Sequence, residues 1–210
     1  MDRIPGMIGI EKYRKYALTL PLVFKAQQWH LIFEVRAAGL RRQPGEICFP
    51  GGRVETGEEK QSAAVRETCE ELMVSPESVE IIKPLDVFVS PFDLIVFPYL
   101  ARLKDYKGTY STDEVARILE IPVRWFLEYP PEIYKNRIIT VPEENFPYDK
   151  IPGGRSYPWN RGSYDVVFYS WKEETIWGMT AAILKGSLPM IREFLESNSR
   201  ESQKSGGRIL

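Results

Sequence analysis

The chain of 210 residues holds a single histidine and two cysteines. One imidazole, His30, excludes a histidine-rich metal centre and leaves a Ser-His-Asp triad without support; it stands at the start of a strand-like run and reads as structural. Cys48 lies on a strand-like segment and Cys69 on a helical one, and both read as core thiols rather than as a disulfide or a metal pair. Charge of one sign is missing too. With 28 Lys and Arg against 29 Asp and Glu the net charge is -1, so no global field recruits nucleic acid or an anionic membrane, and phosphate recognition has to be local. No apolar run is long enough to span a bilayer, and residues 1–20 are broken by charges and Pro5 and lack a signal peptide's apolar centre, so the expected location is cytoplasmic. No internal repeat or second domain is visible. A hydrophobic content of 43% suits one globular domain over residues 1–196, and the polar stretch 197–210 is expected as a flexible tail.

What the chain does have is the stretch from Gly51 to Val74, GGRVETGEEKQSAAVRETCEELMV: a glycine turn followed by a helix. Residues 62–73 contain neither glycine nor proline, and Ala63, Ala64, Glu67, Glu70, Glu71 and Leu72 favour the helical state. Glu67, Glu70 and Glu71 stand at i, i+3 and i+4, and at about 100° per residue they share one third of the circumference. Val65, Thr68, Cys69 and Leu72 form the opposite, mostly apolar strip, suited to packing on a sheet. Carboxylates gathered in one patch repel one another unless a cation sits between them or an arginine neutralises them, and Arg66 lies beside Glu70. A divalent ion meets that need, and oxygen-only ligands select a hard one, Mg2+ or Mn2+, over zinc. A solvated acidic helix face is the plainer alternative.

The spacing of this stretch is specific. Gly52, Glu58, Arg66-Glu67 and Glu70-Glu71 resemble the Nudix box, the signature of the Nudix hydrolases, with every charged position filled. Thr68 departs from the usual aliphatic residue and Met73 from the usual glycine. The run from Ile32, IFEVRAAGLRRQPGEICFPGG, resembles the motif upstream of the box in the coenzyme A pyrophosphatase branch, through Arg36, Ala37, Arg41, Gly45 and Phe49-Pro50-Gly51-Gly52. It departs at Glu34, where many members carry threonine, and at Gln43, where many carry histidine. The resemblance implies metal-dependent hydrolysis of a pyrophosphate joined to another group. It places the Gly52 carbonyl, Glu67 and Glu71 around the metal, with Glu70 as a further ligand or proton acceptor. Arg66 is implied to orient these groups through Glu70 or Glu58. The general base stays open among Glu67, Glu70 and Glu114, and Glu114 reads equally well as part of a capping turn at Thr112. Gly51 and Gly52 let backbone approach closely. Arg36, Arg41 and Arg42 bring guanidinium groups near the acidic helix, which fits a substrate with both a pyrophosphate and a 3'-phosphate, although Arg41 and Arg42 also read as a solubilised turn. The expected products from coenzyme A are 4'-phosphopantetheine and adenosine 3',5'-bisphosphate. ADP-ribose, a dinucleotide or a nucleoside triphosphate are alternative substrates, and a catalytically silent sensor or an acidic interaction domain are alternative functions. A small molecule is the expected partner, nucleic acid and membrane are not, and a homodimer is allowed.

Around this centre, residues 11–24 look helical and 29–36, 46–50, 79–86 and 87–103 look like strands, with a break at Ser90-Pro91. A helix is expected at 112–119, a second at 122–129 and strands at 137–141 and 165–171. Residues 142–163 are an irregular stretch that is functional or conceals a hairpin, with Tyr157 and Trp159 available for packing or for stacking on adenine. Helical residues 176–186 and 188–196 follow. WGMTAAIL resembles the C-terminal helix of coenzyme A pyrophosphatase-like Nudix proteins. The implied fold is α/β: an α/β/α sandwich around a mixed sheet, with the acidic helix on one face and this helix on the other.

Overall fold

A computed structural model describes residues 6–206, with side chains as far as Asn198. In chain order the elements are β1 (Arg14–Lys25), β2 (Gln28–Arg36), β3 (Ile47–Cys48), β4 (Gly51–Arg53), α1 (Lys60–Leu72), β5 (Val79–Pro84), β6 (Phe88–Ser90) and β7 (Leu94–Leu103). They continue with β8 (Val115–Pro122), α2 (Val123–Glu128), β9 (Glu132–Ile139), β10 (Arg161–Trp171), β11 (Glu174–Trp177) and α3 (Gly178–Gly206). Strands β1 to β8 form a mixed sheet in which β1 and β7 run parallel, and β9 to β11 form a separate antiparallel sheet.

The run expected as a helix over 11–24 is instead β1, the central strand. A strand covered on both faces is apolar on both, so ALTLPLVF shows no period of two. Its odd residues Ala17 and Val23 pack on the α1 side, while Leu20 and Leu22 belong to the core on the α3 side. Pro21 is tolerated by position. The Thr19 N–H points to the edge where β1 leaves β4 and has yet to meet β2, so the missing N–H of Pro21, two residues on, falls in that gap. Strand β2 alternates likewise: Leu31, Phe33 and Val35 face the α3 core and Ile32 faces α1. The two helices thus cover opposite faces of the sheet, as the α/β/α arrangement requires.

Helix α1 holds the sheet through small residues, Ala63 and Ala64 against Ala17, and through a buried hydroxyl pair, Thr19 to Thr68 at 2.8 Å. That pair accounts for Thr68 in place of an aliphatic residue. Its hydroxyl donates back to the Ala64 carbonyl at 2.7 Å and is satisfied inside the core.

Three further expectations change. Residues 115–122 are strand β8 paired with β2, not a helix capped at Thr112; the 111–114 turn only feeds that strand. Residues 174–177 form β11, so the last helix begins at Gly178. The stretch from Ser197 continues α3 as far as Gly206, and residues 207–210 lie outside the described residues. The irregular 142–163 segment holds no hairpin of its own: up to residue 160 it is the long connection between the antiparallel strands β9 and β10, with two short 3-10 turns at Tyr148–Lys150 and Gly154–Ser156.

Met73 ends α1 in the left-handed region (φ 54°, ψ 48°), its N–H reaching the Cys69 carbonyl, so the turn usually made by glycine survives with a strained residue. Met73 is largely exposed and contributes little packing. Met73→Gly is expected to raise stability by about 1 kcal/mol in urea unfolding, and a loss of stability would contradict the cap assignment.

Candidate active site

The site begins where backbone replaces side chains. Strand β4 pairs with β1 beside the acidic helix, Gly52 opposite Ala17 and Gly51 opposite Leu18. A Cβ at Gly52 would run into the Glu67 carboxyl group, and one at Gly51 would lie 2.6 Å from the Ala17 carbonyl oxygen and overlap the Leu18 side chain. The Gly51 N–H donates to Glu71 Oε2 at 2.7 Å. The glycines are needed here for close approach.

Arg66 organises the acids next to them. Its Nε and Nη2 fork onto Glu58 at 2.9 and 3.2 Å, Nη1 donates to Glu67 Oε1 at 2.9 Å and reaches Glu70 at 3.4 Å, and Nη2 also meets the Arg53 carbonyl. Bonding to Arg66 pulls the Glu58 carboxyl below its ordinary range. Glu58 is thus the loop partner of Arg66.

The carboxylates then separate by depth. Glu70 stays solvent-exposed, outside the main cleft. Burial raises the Glu67 carboxyl while Arg66 opposes the rise. Glu71 is 3% exposed; burial and then the charge of Glu34 push it up to about 9, against the Gly51 N–H. Glu34 is 1% exposed, and burial raises it to about 7, partly offset by the Cys48 thiol that donates to its Oε1 at 3.2 Å and by the charge of Arg36. Its Oε2 has no partner among the described residues. Glu34 is not among the site residues expected from the sequence. The available signal was a carboxylate at an apolar-flanked strand position that shares the α1 side with Ile32.

Gly51, Gly52, Glu67, Glu71, Glu114, Arg36 and Arg42 all line one cleft of about 690 Å³. Glu114 arrives on the turn before β8, held through its carbonyl by the Ala37 N–H at 2.8 Å. Arg41 and Glu70 do not line this cleft, which corrects their expected place beside the other groups. Arg41 belongs to an exposed turn and Glu70 sits on the far side of Arg66. Trp159 packs between Phe146 and Tyr157 inside the 142–163 loop, and Tyr157 and Trp159 stay out of the cleft. Phe92 and Tyr164, in edge contact at 5.5 Å, and Trp177 line it instead.

The donor set fits a hard divalent cation: carboxylate and carbonyl oxygens, no histidine, and a buried carboxylate oxygen without a partner. No three acidic, cysteine or histidine groups among the described residues stand in ready chelating geometry; Glu67 is turned to Arg66 and Glu71 to the Gly51 N–H.

The Nudix domain family model matches residues 17–131, which include β4, α1 and Glu114. The chain belongs to the Nudix family. Over 134 residues it is 32% identical to the peroxisomal coenzyme A diphosphatase NUDT7 of Mus musculus, covering 63% of this chain and 56% of that protein, so it spans little more than half of that relative. It is 31% identical over 179 residues to the uncharacterized Nudix hydrolase NudL of Citrobacter koseri, covering 82% and 80%. Among solved structures, a MutT/nudix family protein from Enterococcus faecalis superposes with a TM-score of 0.53 at 17% identity, over 91% of this chain and 66% of that one, which shows the shared fold. As a Nudix hydrolase the chain is a pyrophosphohydrolase of a family that works with divalent metal ions.

For the metal-free Nudix protein the raised carboxyls fix a sign. Glu34 and Glu71 hold protons in the folded chain above their ordinary value of 4.5, so the folded state binds more protons than the unfolded one as pH rises toward about 9. Their contribution to stability is complete below 4.5 and is lost as pH passes about 7 for Glu34 and about 9 for Glu71. The melting temperature of metal-stripped protein is expected to fall between pH 6 and 9, and to fall less in Glu71→Gln. An unchanged slope in that variant would contradict the assignment.

Proposed function

We propose that this enzyme hydrolyses the pyrophosphate of coenzyme A or its derivatives, giving 4'-phosphopantetheine and adenosine 3',5'-bisphosphate. The observation that carries the reading is the meeting of Arg36 and Arg42 with Glu67 and Glu71 in one cleft, whose other wall bears Phe92, Tyr164 and Trp177. The anhydride fits at the acids, an extra phosphate at the arginines and the adenine against the aromatic rings. The coenzyme A diphosphatase name of the mouse relative supports the same substrate class.

In this reading Glu67, Glu71 and the Gly52 carbonyl would hold Mg2+ or Mn2+, while Glu70, outside the cleft, is linked to Glu67 through Arg66. When bound there, the ion would supply a lowered pKa for water and neutralisation of the charge that develops on the phosphoryl oxygens. Arg66 keeps Glu67 and Glu58 in fixed rotamers, a positioning role through its fork. Glu114 is engaged by neither Arg66 nor the Gly51 N–H, and it is proposed as the proton acceptor for the attacking water. Glu67 is committed to Arg66, and Glu70 lies outside the cleft. Water adds to one phosphorus, the bridging P–O bond breaks, and the departing phosphate takes the electron pair.

A mass-spectrometric panel of coenzyme A, dephospho-coenzyme A and ADP-ribose, run with Mg2+ and with Mn2+, tests the substrate. Coenzyme A is expected to turn over best by kcat/KM. Arg42→Ala is expected to cut its kcat/KM roughly tenfold while changing dephospho-coenzyme A much less, the loss of one charge-assisted contact. Strong preference for ADP-ribose would overturn the arginine argument and leave an ADP-ribose pyrophosphatase.

A further inference from the structure

Glu34 is a buried ionisable group that the reaction as described leaves unused. Its position follows from the strand. Leu31, Phe33 and Val35 are committed to the core under α3, so residue 34 must face α1, where Ile32 already packs against Leu72. Across the sheet it is flanked by Cys48 of β3 and Ile118 of β8. An apolar side chain would suit that place, and a carboxyl group stands there at 1% exposure.

Its surroundings do not satisfy it. One oxygen accepts a thiol hydrogen, a weak donor, from Cys48, and the other has no partner among the described residues. The charges acting on it among the described residues are Glu71, Glu67 and Glu114 on the acidic side against Arg36, and the Arg36 Nε is spent on the Arg42 carbonyl at 3.3 Å. An enclosed carboxylate facing other carboxylates persists only when a cation or a proton lies between them.

We propose that Glu34 is a further carboxylate of the metal site, supplied by the sheet, which shares with Glu71 the innermost divalent cation. The proposal rests on the reading that the Glu67 and Glu71 cluster holds such an ion. It adds a ligand from β2, outside the box, and it gives the unpartnered Oε2 an occupant of hard, oxygen-preferring character. The other occupant consistent with the enclosure is a permanent proton, which would make Glu34 a structural acid that the metal never sees.

The test is Mn2+ binding to metal-stripped protein, read by the electron paramagnetic resonance of free Mn2+ and by the Mn2+-induced rise in melting temperature. Glu34→Gln keeps the size and the acceptor for Cys48. It is expected to fold with a metal-free melting temperature at least equal to that of the parent, because a poorly paired carboxyl is gone. Its tightest Mn2+ site is expected to weaken roughly tenfold or more, with a correspondingly smaller Mn2+-induced rise. Glu34→Asp, which keeps the charge and shortens the reach, is expected to fall between the two and guards against a folding defect in the first variant. If the parent binds Mn2+ and both variants match it, Glu34 is the structural acid and this proposal fails alone. If the parent captures no Mn2+, the reading of the cluster fails and this proposal with it.

Discussion

Everything in the site follows from where the Glu71 carboxyl has to lie. Helix α1 turns Ala64, Thr68 and Leu72 to the sheet, and Glu71, next to Leu72, goes in with them to 3% exposure. A carboxylate placed there has one certain donor, the Gly51 N–H, and this donor reaches it because two glycines let β4 run against the helix. The neighbours worsen its position, since Glu34 comes from the sheet and Glu67 from the preceding turn of the helix. Like charges are concentrated at low dielectric, and among the described residues one arginine, Arg66, is bonded to the helix acids. On the proposed reading the deficit is made good by a divalent ion, and the same deficit makes the ion's capture favourable.

The rest of the chain builds outward from that constraint. Strand β1 carries β4 on one edge and β7 on the other, so the glycines, the helix and Phe92 beyond β6 are held by one central strand. The residues that match the family model end at 131, and they contain Glu34, Glu58, Glu67, Glu70, Glu71 and Glu114. The far wall of the cleft comes from beyond them, with Tyr164 on β10 and Trp177 on β11 leading into α3. The glutamates of the box thus lie in the part matched by the family model, and Tyr164 and Trp177 add to the cleft lining from beyond it. That division fits an enzyme whose reaction is common and whose substrate choice is its own.

Legibility in the sequence followed how local the determining contacts are. The acidic helix and its carboxylate spacing were plain, because the pattern closes within a few residues and Glu58 meets Arg66 only eight positions away. β1 was hidden because its two faces are both buried, and alternation disappears when neither face is wet. β8 was hidden by Thr112, Asp113 and Glu114, good capping residues that here serve a turn, while pairing with β2 overrode local preference. Glu34 was visible only as an odd letter in a familiar motif. Its meaning depends on Glu71, which is near only after α1 has docked. Arg41 was expected at the site from the upstream motif and Glu70 from its helical spacing and the box, and the structure leaves both outside the cleft.

The central claim is that these enclosed carboxylates are a cation site. The most direct measurement is an anomalous-difference map from crystals soaked in Mn2+. The expected result is a peak within about 2–2.6 Å of carboxylate oxygens of Glu67 and Glu71, with Arg66 still forked on Glu58. A map with no manganese at these side chains, and with Glu67 still bonded to Arg66, would contradict it.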